Sequence, residues 1–117
     1  MKALLALFAV ALLACQRREA ETNFAGGDPN RGRLLMARDG CAACHELPGP
    51  GVRGLVGPSL EAMGRRAYIA GKLPNVPQNM ILWIRFPQAV DPGNAMPNLG
   101  INERDARDMT AYLEALR

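Results

Sequence analysis

Cys41-Ala42-Ala43-Cys44-His45 sets two thiols three positions apart, with an imidazole directly after the second. On one helical turn, sulfurs at that spacing reach the two vinyl groups on one side of a porphyrin, and the adjacent imidazole is set against the iron. The pattern is that of covalent haem c attachment. Two other chemistries use the same residue types. A zinc site takes four ligands, usually Cys or His, whereas the chain holds one histidine and, with Cys15 at the end of an apolar N-terminal run expected to carry lipid, two further cysteines. A thioredoxin-like redox pair needs a βαβ setting, and no segment alternates apolar and polar residues convincingly. Cys41 and Cys44 are therefore expected to bind the cofactor and His45 to ligate its iron.

The elements that would hold this motif are short helices joined by long loops. Asp28-Pro29 reads as a helix start, an acidic N-cap followed by proline at the first helical position. Leu34, Leu35 and Ala37 follow, and Gly40 stops the helix just before the motif. Pro48 to Pro58 is loop, dense in proline and glycine. Ser59–Met63 could make a short helix. Pro77–Phe86 is a stronger one, opened by Pro77 and stopped by Pro87. Residues 87–100 return to proline, glycine and asparagine. Asn102 caps a last helix, with Asp105 three positions on as an approximate capping box. On that helix Ala106, Met109, Leu113 and Leu116 form an apolar stripe. No sheet and no internal repeat are expected. A domain of about 90 residues with sparse aromatics has little apolar surface to bury by itself, and a haem would fill its centre.

The beginning of the chain carries a different signal. Lys2 precedes an unbroken apolar run from Ala3 to Ala14. The run is too short for a bilayer-spanning helix, which needs about 20 residues, and suits the apolar region of a secretory signal peptide. Leu12-Leu13-Ala14-Cys15 resembles the bacterial lipoprotein signal, which implies cleavage after residue 14 and lipidation of Cys15. Residues 16–27 read as a polar tether. One cysteine for lipid and two for haem account for the odd cysteine count without a disulfide. The formal charge of +3 falls to +2 when Lys2 is removed, and haem propionates would offset the rest. With no block of like charge, nucleic-acid binding has no support.

From residue 28 to 117 the chain resembles a mono-haem class I cytochrome c of bacteria. CAACH follows an N-terminal helix; Gly57-Pro58-Ser59-Leu60 resembles the family's Gly-Pro-x-Leu segment; Ala95-Met96-Pro97 resembles its sixth-ligand loop; Glu103–Leu116, with Tyr112, resembles its C-terminal helix. The resemblance implies an all-α fold of about three to five helices around one covalent haem c and its iron. It implies that the Pro58 carbonyl accepts a hydrogen bond from the far ring nitrogen of His45, and that Met96 is the second axial ligand, favouring ferrous iron. It implies that Gly32 lets the terminal helices approach at the face bearing Leu113, and that Trp83, Tyr68 and one of Arg65 or Arg66 meet the propionates. Among the other methionines, Met36, Met80 and Met109 sit at apolar helix positions, and Met63 lies near Gly57-Pro58. Met96 alone sits in a proline-bounded loop. The chain lacks the dense lysines of mitochondrial members, and its residues 64–94 do not align cleanly with theirs.

The expected function is single-electron transfer by a membrane-tethered protein, exported to the periplasm or the outer face of the cytoplasmic membrane. Its expected partners are respiratory complexes, reached as a monomer or as a fixed subunit of an oxidase or dehydrogenase. Enzyme activity is not expected: the single CxxCH excludes a two-haem peroxidase, and Met96 would close the iron site. A gas sensor that releases Met96 is the remaining alternative.

Overall fold

The computed structural model of the chain describes residues 26–49 and 54–117. The expected signal peptide 1–14, Cys15 and nearly all of the tether 15–27 lie outside the described residues. Helix α1 spans Pro29–Arg38, α2 Pro77–Arg85, α3 Pro87–Val90 and α4 Glu103–Ala115. Single 3₁₀ turns cover Cys41–Ala43 and Met63–Arg65. The two-residue strands β1 (Tyr68–Ile69) and β2 (Leu73–Pro74) pair antiparallel, Tyr68 opposite Pro74 and Ile69 opposite Leu73.

The helix boundaries follow local chemistry. The Asp28 carboxylate accepts from the amides of Asn30 and Arg31 at 2.9 and 3.2 Å, satisfying donors that an α-helix start leaves open. The Asn102 side chain does the same for the Asp105 amide at 2.9 Å and donates to the Asp105 carboxylate at 3.1 Å, a variant of the expected capping box. Helix α2 ends at Arg85 because Pro87 drives Phe86 out of the helical region, to φ −138° and ψ 54°.

Two expectations are corrected. The chain contains a β-ribbon where no sheet is expected. Ala70 and Gly71 have φ of 52° and 67°, the consecutive left-handed pair that reverses a chain into a tight hairpin. With two residues per strand there is no alternation for a periodicity reading to find. The helix expected at Ser59–Met63 is instead the 3₁₀ turn from Met63 to Arg65.

Helix α4 packs on both α1 and α2. Its crossing with α1 is set at Gly32, where a Cβ would collide with the carbonyl of Asp108 and the Met109 amide nitrogen. The close approach therefore falls one turn before Leu113, whose face of the helix also carries Met109. The crossing is clasped by charge. Arg31 bonds to Asp105 at 2.5 Å and also to Asp108, and Asp108 accepts from the Asp28 amide at 2.7 Å. Asp105 and Asp108 are 7% and 6% exposed, and Arg31 meets both carboxylates. The side-chain bond from Arg31 holds the Asp105 carboxyl below its ordinary value, against the opposing effect of desolvation. Leu35 and Met36 from α1, Met80 and Ile84 from α2, and Met109 and Leu113 from α4 meet in one buried cluster.

Two outcomes follow for stability. Gly32→Ala is expected to destabilise the fold by at least about 2 kcal/mol in denaturant unfolding, because the colliding atoms are backbone and cannot turn aside. Because the Asp105 value is depressed on folding, its contribution is complete above the ordinary 3.8 and is lost as pH falls through the folded value. The unfolding free energy of the wild type should exceed that of Asp105→Asn by a constant margin at neutral pH. That margin should shrink below about pH 4.

Candidate functional site

The site begins where α1 stops. Gly40, in the left-handed region at φ 79°, turns the chain into the 3₁₀ turn that carries Cys41 and leads directly to Cys44 and His45. The Cys44 and His45 amides bond back to the Cys41 carbonyl at 3.2 and 2.9 Å, so the five-residue motif is one compact turn. Both thiols are free and partly buried. Burial is the main cause that pushes the Cys41 thiol up, with Asp39 adding to it.

The following loop returns onto this turn. The Gly57 amide donates to the Cys44 carbonyl at 2.7 Å and the Leu60 amide to the Glu46 carbonyl at 2.9 Å. A Cβ on Gly57 would strike the His45 imidazole, so the loop backbone lies directly against the ring. That approach brings the Pro58 carbonyl to 2.8 Å from His45 Nδ1. A carbonyl oxygen can only accept, so Nδ1 carries the proton and the lone pair of Nε2 is left for a metal. This is the orientation in which the second shell of a metal-binding histidine holds its ring.

The described residues enclose a cavity of about 360 Å³ whose lining includes Cys41, Cys44, His45, Pro58, Trp83 and Met96. Its size lies within the common range for ligand and cofactor sites, about 300–1,000 Å³. Met36, Met63, Met80, Ile84, Met109 and Leu113 supply apolar wall. Two thiols beside an oriented imidazole, facing an apolar chamber, fit a covalently held haem in donor chemistry and in surroundings.

Of the expected propionate partners, Trp83 and Arg66 line this cavity, and Arg66 reaches across to the Ser59 carbonyl at 2.5 Å. Arg65 and Tyr68 do not line it. Successive strand residues face opposite ways; Ile69 points inward at 1% exposure, so its neighbour Tyr68 points out, at 60%. Arg65 is exposed as the last residue of its 3₁₀ turn. Asp39, Asp91 and Asn94 also line the cavity, which no sequence pattern marks. Five methionines line it as well, so proximity alone does not single out Met96. What separates them is setting. Met36, Met63, Met80 and Met109 are at most 5% exposed in the packed core, whereas Met96 is half-buried on the segment after α3.

A small helical domain with a haem-attachment turn, an oriented histidine and an apolar cavity defines a haem-binding electron-transfer protein. The chain belongs to the cytochrome c family: the family model described as "Cytochrome c" matches residues 29–117. It is 37% identical, over 89 residues, to "Cytochrome c oxidase subunit 2" of Alkalihalophilus pseudofirmus, covering 75% of this chain and 25% of that one. It is 32% identical over 106 residues to "Cytochrome c2" of Rhodoblastus acidophilus, covering 78% of this chain and 94% of that one. The chain thus spans about a quarter of the oxidase subunit and nearly all of the cytochrome c2. Its fold is the class I cytochrome c fold and its cofactor is covalently bound haem c with iron.

The contact between Gly57 and the imidazole predicts its own test. Gly57→Ala should turn the His45 ring off the Pro58 carbonyl and cut the yield of haem-loaded protein by about tenfold, the usual scale for losing an outer-shell partner. Pro58→Ala keeps the carbonyl and should remain near the wild-type yield, read from haem absorbance per mole of protein.

Proposed function

We propose that this cytochrome is a lipid-anchored, single-haem electron carrier working between respiratory complexes on the outer side of the cytoplasmic membrane. Cys41 and Cys44 hold the haem through thioether bonds. His45 Nε2 and Met96 are the axial ligands, with Pro58 fixing the histidine and Arg66 and Trp83 available to the propionates. Bound there, the haem supplies a one-electron ferric/ferrous couple, and a neutral thioether on one side with an imidazole on the other favours the ferrous state. The observation that supports this reading best is the 2.8 Å contact between His45 Nδ1 and the Pro58 carbonyl. It places the proton of the neutral ring on Nδ1, so that Nε2 is the nitrogen available to iron, beside two thiols and a cavity that also admits the Met96 loop.

The apolar run ending at Cys15 supports export and lipidation. Dual acylation would hold the protein stably on the membrane. Cys15→Ser is expected to release the protein from membranes into the soluble fraction with its haem still attached. Release of the wild type without detergent would overturn the anchor.

Met96→Ala should abolish the weak red absorption band of thioether-ligated ferric haem, lower the midpoint potential and open the ferrous protein to carbon monoxide. If the band survives in Met96→Ala and disappears in Met63→Ala or Met80→Ala, the ligand is one of the core methionines. A second reading, a haem subunit fixed in an oxidase, is favoured by the 37% identity to an oxidase subunit. Detergent extraction separates the two. A carrier purifies alone, and a fixed subunit co-purifies with oxidase chains at constant ratio.

A further inference from the structure

The geometry points to Gln88 and Asn94 as positioning residues for the sixth iron ligand. They form an uncharged amide brace that fixes the backbone of Met96 and keeps the iron closed to external ligands. The inference rests on Met96 being that ligand, and it concerns what holds the ligand in place.

Gln88 stands on α3, directly after Pro87, which is among the fully buried side chains. The brace therefore has a rigid foot. The Gln88 side-chain nitrogen donates to the carbonyls of Asn94 and Met96, each at 2.8 Å, and its oxygen accepts from the Gly93 amide at 3.1 Å. One side chain thus uses both donors and its acceptor on a single loop. Asn94 works from inside that loop. Its nitrogen donates to the carbonyls of Pro87 at 3.0 Å and Asp91 at 2.6 Å. Its oxygen accepts from the Met96 amide at 2.7 Å.

Both polar atoms of the Met96 backbone are therefore held by side chains, the N–H by Asn94 and the C=O by Gln88. Outside the loop, the Asp91 carboxylate pairs with Lys72 on the β-ribbon turn at 3.1 Å. A segment with proline at 92 and 97, and no regular structure from Gly93 to Ile101, gets its rigidity from these amides. The physical consequence is preorganisation. A methionine on a free loop would give up conformational entropy each time its sulfur returned to the iron. One whose backbone is already tied gives up only side-chain freedom. The brace lowers the population in which the sulfur is away and the iron is open.

The experiment compares the full-length wild type with Gln88→Leu, which removes the two donors and the acceptor at similar length. Gln88→Leu should retain haem c and the wild-type helical circular dichroism. As the ferrous protein it should bind carbon monoxide at least about tenfold faster than wild type, equal to about 1.4 kcal/mol in the open population. Gln78→Leu, at an exposed glutamine of α2 outside the brace, should bind at the wild-type rate. A wild type lacking the red thioether band overturns the ligand assignment and the brace together. A wild type with the band, and a Gln88→Leu protein equal to it in carbon monoxide rate, overturns the brace alone. A measurement independent of any variant is hydrogen exchange of the Gly93 amide in wild type. Its bond to Gln88 should slow exchange at least about tenfold relative to an unprotected amide, and exchange at the unprotected rate contradicts the brace.

Discussion

Most of the residues that make this domain's core also wall its haem cavity. Met36 from α1, Met80 and Ile84 from α2, and Met109 and Leu113 from α4 belong to the buried cluster and also line the chamber. The helices therefore pack on one another along only part of their apolar faces. The α1–α4 crossing at Gly32 fixes two walls, α2 closes a third, and the loop carrying Met96 comes in after α3. A domain this small cannot bury enough surface among its own side chains to be generous with stability. In the proposed function, covalent attachment at Cys41 and Cys44 would keep the core's central piece from leaving.

Around that chamber the polar groups divide by task. The clasp of Arg31 with Asp105 and Asp108 lies away from the cavity and holds the helices that form it. Close to the motif, uncharged groups do the aiming: the Pro58 carbonyl on His45, and the side-chain amides of Gln88 and Asn94 on the Met96 backbone. With His45 and Met96 as the proposed ligands, such neutral partners would direct them without adding charge beside the iron, so that orientation and redox electrostatics could be set separately. The charged groups that do line the cavity are partnered. Asp91 is with Lys72, Asp39 with Arg38, and Arg66 reaches the Ser59 carbonyl.

What sequence made legible was whatever is encoded locally. The Cys41–His45 motif is contiguous, so its chemistry needs no knowledge of the fold. Asp28 and Asn102 mark helix starts through bonds spanning two or three residues, and Pro29 and Pro77 through their fixed φ in the first turn. The partners invisible to such reading lie far along the chain. Arg31 finds Asp105 and Asp108 across 74 and 77 positions, and nothing near Arg31 announces them. The outward direction of Tyr68 was not legible either, because a two-residue strand has no period from which to learn which way a side chain points. The brace escaped notice because glutamine and asparagine in a proline-rich stretch read as ordinary loop, and only the fold shows that both point inward to one methionine.

The proposed function stands on Cys41 and Cys44 together holding one haem covalently beside His45, and mass spectrometry of the tryptic peptide spanning residues 39–53 reads that attachment without intermediary. This peptide should carry the mass of one haem, resist acidic organic extraction of the cofactor, and have no thiol left to alkylate at either cysteine. A peptide of unmodified mass with both cysteines alkylated would contradict it.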